Sequence, residues 1–124
     1  MYIVPEAAPL QMSSQIAAKL AEMQPRFRIS IRQRLDALET LREGPQLDRD
    51  PRTTLETIRA VAHKTVGLAA PMGYHELGAL CSTAESSIDD LLASLTPDQT
   101  AFAATLSAID DMLGEMALIV DSDD

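Results

Sequence analysis

The chain has 124 residues, the usual size of one domain, and carries a formal net charge of -9 at pH 7 from 19 acidic and 10 basic residues. This charge argues against a nucleic-acid-binding protein and against docking on anionic lipid, because both ligands require a basic protein surface. The single cysteine excludes a disulfide within the chain and a cysteine-rich metal site. There is no run of about 18 apolar residues that could span a membrane, and the N-terminus lacks the features of a secretory signal. We therefore expect one soluble, cytoplasmic domain over residues 1–124.

The composition favours helices packed on helices. Hydrophobic residues make up 46% of the chain but aromatic residues only 3%, so alanine, leucine, isoleucine and methionine must fill the core. No segment alternates between apolar and polar residues as a half-buried strand would, whereas helical spacing recurs along the chain.

The N-terminal third of the chain predicts two helices. The first, over residues 10–23, is broken at Pro25, because proline lacks a backbone N–H and its ring disfavours a helix interior. Its apolar stripe consists of Leu10, Ile16, Ala17, Leu20 and Met23. The second helix covers residues 25–43 and ends at Gly44-Pro45, a typical helix stop. Residues 46–50 are expected to form a loop.

Three further helices follow. The third covers residues 51–72, with Asp50 as its N-cap, Pro51 as its first residue and Gly73 as its C-terminal stop. The fourth covers residues 74–94, and the fifth runs from a capping box at residues 96–99 to about residue 120. Short connections make consecutive helices antiparallel neighbours. We therefore predict an all-α fold, an antiparallel up-down-up-down four-helix bundle with an additional N-terminal helix packed across it.

Several kinds of chemistry are disfavoured. Cys81 lies on the apolar stripe of the fourth helix and is expected to be a small buried hydrophobic residue. His75 follows the turn at Gly73 and is expected at the surface, separated from His63 by a helix end, so the two histidines do not predict a metal site. No phosphate-binding glycine loop is present, which leaves the chain without a recognisable ATP site.

His63 and Gly67 lie four residues apart on the outer face of the third helix. Glycine costs a helix interior about 1 kcal/mol relative to alanine, so a bare face there indicates the close approach of a partner. Lys64 places a cation beside the imidazole, and Ala60 and Ala70 keep the surroundings small. A neutral imidazole can accept a phosphoryl group at a ring nitrogen, and a nearby ammonium can bind the phosphoryl oxygens. From the residues alone, the alternative is a surface histidine with no specific role.

Residues 62–85 resemble the signature of histidine-containing phosphotransfer (HPt) domains. That pattern has Ala-His, a glycine four residues after the histidine, a small residue at the sixth position and a glycine at the tenth, then two leucines and a glutamate on the next helix. The matching residues are Ala62, His63, Gly67, Ala69, Gly73, Leu77, Leu80 and Glu85. The chain departs from the pattern at Val66, where the family most often has lysine or arginine, and Lys64 is the candidate replacement.

The resemblance implies that the chain is a phosphotransfer carrier and not an enzyme. His63 would be phosphorylated by a receiver-domain aspartate of a hybrid sensor kinase and would pass the phosphoryl group to another response regulator. The chain would hold no cofactor or metal of its own, since the Mg²⁺ used in transfer belongs to the receiver. We also expect a monomer. The alternative is a helical adaptor that binds a signalling partner without carrying phosphate.

A basic cluster is the candidate docking surface for the receiver. Antiparallel pairing across the connection at residues 44–50 should bring Arg28 and Arg32 to roughly the level of His63. Receiver active sites are rich in acidic residues, and opposite potentials steer two proteins together. Ala60 and Ala70 complete the predicted contact surface. The alternative is a solvated helix face.

Overall fold

The computed structural model describes the backbone of residues 4–122 and the side chains of residues 14–122. No strand occurs within this part of the chain, which confirms the all-α prediction. Its helices are α1 (Val4–Glu43), α2 (Gln46–Arg49), α3 (Pro51–Ala69), α4 (His75–Ala93) and α5 (Gln99–Asp121). The four long helices form a bundle in which α3 packs on α4, α4 on α5, α5 on α1 and α1 on α3.

The core is built from one apolar stripe on each long helix. On α3 the buried residues recur at helical spacing, so the opposite face of this helix is left to solvent. The stripe comprises Leu55, Ile58, Ala62, Thr65 and Ala69, as predicted, and the predicted Met72 is buried in the turn that follows. At one end of the core the rings of Phe27 and Tyr74 stack with their centroids 5.1 Å apart, which fixes the α3–α4 turn against α1.

The predicted break at Pro25 is wrong, because α1 continues through this residue without interruption. A proline removes one N–H donor, here the one that would bond to the carbonyl of Ala21. Both Ala21 and Pro25 are exposed, so water can hydrate the freed carbonyl. The additional N-terminal helix is therefore the first half of α1 and not a separate element.

The apolar stripe predicted for that first helix is mostly exposed to solvent. Ile16 and Met23 are 54% and 41% exposed, and only Leu20 packs against the core. The side chain of Leu10 lies outside the described residues.

The predicted loop at residues 46–50 contains the single helical turn α2. The N–H groups of Asp48 and Arg49 both donate to the carbonyl of Pro45, at 3.2 and 3.1 Å. This turn directs Leu47 into the core, where it is 6% exposed. Burial of that one apolar side chain explains why the segment is helical despite its flanking turn residues.

The helix ends follow their local chemistry. Asp50 caps α3 by accepting from the N–H of Thr53 at 3.2 Å, as predicted. The end of α3 is three residues earlier than predicted, because Pro71 has no N–H to continue the hydrogen-bond ladder. Gly73 then takes a φ of +87°, the left-handed conformation expected for it. The N-cap of α5 is Asp98, two residues later than the predicted capping box begins.

Cys81 is fully buried on α4, as predicted, and its burial raises the pKa of the thiol to about 12. Because the thiolate is the nucleophile, the native chain should resist alkylation by iodoacetamide at pH 8, while the urea-unfolded chain should be alkylated on this residue. Mass spectrometry of both samples checks the prediction. Alkylation of the native chain at the rate of the unfolded chain would contradict it.

Candidate functional site

His63 projects from the middle of α3 into solvent. The neighbouring residues Ala62 and Thr65 point into the core, so the helix period turns the histidine outward. Its side chain is 67% exposed. The ring is therefore held on a rigid bundle helix and is open to a second molecule.

Glu85 on α4 binds one nitrogen of that ring. The Nδ1 atom of His63 lies 2.8 Å from Oε2 of Glu85, whose side chain is only 17% exposed. An ionised carboxylate can only accept a hydrogen bond, so Nδ1 carries the proton and donates it. In the neutral ring the second nitrogen, Nε2, then keeps its lone pair. The contact leaves Nε2 as the nucleophilic atom of an exposed ring.

Arg59 and Asp89 extend the network along both helices. Arg59 lies one turn before His63 on α3, and its Nη2 atom is 3.4 Å from the same Oε2 of Glu85. Its Nε atom donates a hydrogen bond to Asp89, one turn after Glu85 on α4. The hydrogen bond and charge of Asp89 raise the pKa of the Arg59 guanidinium. Four charged or titratable side chains, two from α3 and two from α4, thus form a network of contacts between the two helices around His63.

Most of this network was not predicted from the sequence. Glu85 was identified only as a match to the family pattern, and Arg59 and Asp89 were not predicted to be site residues. The signal was their four-residue spacing from His63 and Glu85 on two helices that pair across a short turn.

The small residues predicted around His63 are all on the surface. Ala60, Gly67 and Ala70 are exposed, the last just beyond the end of α3. A methyl group built on Gly67 would meet nothing within 4 Å, so the helix beside His63 is open to close approach. Lys64 is exposed as well, and it forms no ion pair with any residue in the described part of the chain.

Two hydrogen bonds show which residues of α1 lie beside which residues of α3 and of the turn that follows it. Arg34 donates from Nη1 to Oγ1 of Thr65 at 2.9 Å, and Gln24 donates from Nε2 to the carbonyl of Met72 at 3.3 Å. The helices α1 and α3 therefore run in opposite directions. At about 1.5 Å per residue, Arg32 lies about 3 Å from Arg34 and Arg28 about 9 Å from it, both toward the N-terminus of α1 and so toward the α3–α4 turn.

The two predicted docking residues differ in their exposure and in their position along the bundle. Arg32 is exposed and lies near the level of Gly67, one turn from His63, whereas Arg28 is half-buried and nearer to the α3–α4 turn. Arg34, which was not among the predicted docking residues, contacts α3 at Thr65, two residues from His63.

Neither a membrane-spanning helix nor a metal site is found among the described residues. Within residues 4–122 no helix has the length and apolar character needed to cross a membrane. No group of three or more histidine, cysteine, aspartate or glutamate side chains within residues 14–122 is arranged to hold a metal ion.

Comparison with protein families gives a match to the Hpt domain over residues 22–117, which includes the helices that carry His63, Glu85 and the whole network between them. No curated protein and no solved structure matches the chain. The family match covers well over half of the sequence, and the helical bundle agrees with it. The chain therefore belongs to the Hpt domain family, whose members are phosphotransfer carriers that act through a histidine in two-component signalling.

Proposed function

We propose that His63 is the phosphorylated residue of a phosphorelay intermediate. It accepts a phosphoryl group from the aspartate of one receiver domain, in a hybrid sensor kinase, and passes it to the aspartate of a response regulator. The observation that carries the proposal is the exposed ring whose Nδ1 is bound by Glu85 and whose Nε2 is free. Family membership supplies independent support.

The chemistry requires only a nucleophile and a place for its positive charge. The lone pair of Nε2 attacks the phosphorus of an aspartyl phosphate, the N–P bond forms as the P–O bond breaks, and the aspartate leaves as a carboxylate. The phosphorylated ring then carries a positive charge while Nδ1 still holds its proton. Glu85 stabilises this charge through the 2.8 Å hydrogen bond, which becomes charge-assisted on both sides. Transfer to the next aspartate reverses these bond changes.

The surface around His63 is suited to a receiver domain. The open helix face at Gly67, with exposed alanines at positions 60 and 70, lets the backbone of α3 come close to the partner's aspartate. We also propose that the four long helices alternate in direction around the bundle and that the chain acts as a cytoplasmic monomer. The short connections between packed helices support the first of these statements.

A transfer assay tests the proposed function. Purified receiver domains, phosphorylated on aspartate with a small phosphodonor, are mixed with this chain. We expect a phosphate on the chain that is labile in acid and stable in base, as a phosphorus–nitrogen bond is. Receiver binding without any phosphate on the chain would favour the adaptor alternative and contradict the proposal.

Lys64 should contribute only modestly. It is exposed, and adjacent helix residues point about 100° apart, so its flexible side chain must bend back to contact a phosphoryl oxygen. An exposed charge contact is worth about 0.2–1 kcal/mol. We therefore expect Lys64→Ala to shorten the lifetime of the phosphohistidine or to slow transfer by about five-fold at most. The control is Arg49→Ala, which removes the same charge from α2. If Lys64→Ala and this control both match the wild type, the site works without a cation at position 64.

Arg32 should steer the receiver to the site. We expect Arg32→Glu to slow association with the receiver and the deficit to shrink as salt rises, because exposed charges are screened at high ionic strength. Stopped-flow mixing at two salt concentrations measures both effects. Arg49→Glu changes the net charge equally on α2, before the start of α3. An equal deficit for the two variants would show that overall charge and not the position of Arg32 matters.

A further inference from the structure

The carboxylate that binds His63 is itself held by a second side chain. The same oxygen, Oε2 of Glu85, lies 2.8 Å from Nδ1 of His63 and 3.4 Å from Nη2 of Arg59. Arg59 also donates from Nε to Asp89. One guanidinium therefore links the two carboxylates that α4 presents to α3.

This arrangement constrains Glu85 more than one hydrogen bond could. A glutamate side chain has several rotatable bonds and can turn its carboxylate away from a single partner. The guanidinium of Arg59 is planar and presents its donors in a fixed fork, so contact with Asp89 on one side sets where Nη2 lies on the other. Arg59 is 39% exposed, whereas Glu85 is 17% exposed, so the guanidinium is the more solvent-accessible member of this pair.

The consequence concerns the position of a single proton. In water, a neutral histidine side chain favours the tautomer with the proton on Nε2, which removes the lone pair from that atom. A carboxylate at hydrogen-bond distance from Nδ1 favours the other tautomer. How strongly it does so depends on how well the carboxylate is aimed at Nδ1.

We propose that Arg59 is a positioning residue for phosphotransfer: together with Asp89 it holds Glu85 in the orientation that keeps the proton of His63 on Nδ1 and leaves Nε2 free to accept the phosphoryl group. This inference rests on the proposed role of His63. It assigns Arg59 no contact with the phosphoryl group, since its described partners are Glu85 and Asp89.

The alternative is that Arg59 forms a purely structural salt bridge between α3 and α4, and this role predicts a different result. If Arg59 only joined the helices, its removal would change the stability of the bundle and leave the tautomer of His63 as it is. The two roles therefore differ in a quantity that can be measured on the protein without any phosphate.

The experiment is ¹⁵N NMR of the full chain labelled on histidine, at a pH where the ring of His63 is neutral. We expect the proton of wild-type His63 to reside mainly on Nδ1. In Arg59→Gln the fraction with the proton on Nε2 should rise by about two- to five-fold, the range of an exposed charge contact. The rate of phosphoryl uptake from a phosphorylated receiver should fall by a similar factor. Arg59→Lys keeps the charge but loses the fork, so it should lie between the wild type and Arg59→Gln.

Two further variants make the test specific. Arg52→Gln removes another arginine of α3, which pairs with Glu56 and the carbonyl of Leu92, and it should leave the tautomer unchanged. Asp89→Asn keeps Arg59 but removes the charge that holds its other side, so it should shift the tautomer in the same direction as Arg59→Gln.

An unchanged or larger Nδ1–H fraction in both Arg59→Gln and Asp89→Asn would overturn the proposal, even if the melting temperature fell. Failure of the proposed function gives a different result. In that case the wild type takes up no phosphate on His63, whereas the tautomer ratios of the unphosphorylated variants are measured independently of any transfer.

Discussion

Replacing His63 by glutamine should abolish phosphoryl uptake by the chain and leave its fold intact. A glutamine amide is not a nucleophile at neutral pH, so no N–P bond can form at this position. The ring is 67% exposed and its described hydrogen bond is the one to Glu85. The loss of stability should therefore be about 1 kcal/mol or less, the net contribution of one hydrogen bond. Phosphate incorporation and the circular dichroism melting curve measure the two effects separately.

The matched control is His75→Gln. His75 is the other histidine of the chain, and it is exposed at the first residue of α4. This variant should take up phosphate as the wild type does. Phosphate that persists on His63→Gln, or that disappears with His75→Gln alone, would assign the reaction to a different residue.

Enlarging Gly67 to leucine should impair transfer without destabilising the bundle. Gly67 is exposed one turn after His63, and a Cβ atom added there meets nothing within 4 Å. Any residue other than proline is a better helix former than glycine, by about 1 kcal/mol for alanine. The added side chain would instead occupy the space that the receiver needs. Because a misplacement of about 1 Å between reacting groups can cost about 100-fold in rate, we expect a large loss of transfer with an unchanged or higher melting temperature.

Gly114 provides the control for this substitution. It is also an exposed glycine inside a helix, with open space where a Cβ atom would lie, but it belongs to α5, which does not pack on α3. Gly114→Leu should transfer phosphate normally. Gly67→Ala, with its single methyl group, should raise the melting temperature and retain most of the activity. Unimpaired transfer by Gly67→Leu would show that the receiver does not approach this part of α3.

The sequence predicted the exposed face of α3 because that face depends on local periodicity. Apolar residues recur on one side of residues 51–69 and bury it, and His63 and Gly67 are left on the other. The N-cap at Asp50 and the left-handed Gly73 were predictable for the same reason, since each depends on the chemistry of one residue and its near neighbours.

The course of α1 could not be predicted in this way. Proline disfavours a helix interior, and that local rule gave a break at Pro25. Whether the helix continues depends on packing beyond Pro25 and on water at the freed carbonyl, and a periodic pattern contains neither. The turn of α2 was missed similarly, because only the assembled core shows that Leu47 is buried.

The network around Glu85 required knowledge of how α3 and α4 align. His63 and Glu85 are equally distant from Tyr74, at the centre of the turn, and Arg59 and Asp89 are also equally distant from it. Two antiparallel helices joined by a short turn bring such residues to the same level. The end of α3 was predicted three residues too late, which left the alignment undefined and the partners of His63 unassigned.

The most direct test of the proposed mechanism is the position of phosphorus on the ring of His63. The chain is labelled with ¹⁵N-histidine, phosphorylated by a receiver domain and examined by NMR for coupling between phosphorus and each ring nitrogen. We expect the phosphorus on Nε2 of His63, with the proton retained on Nδ1 beside Glu85. Phosphorus on Nδ1 of His63, or on either nitrogen of His75, would contradict the account.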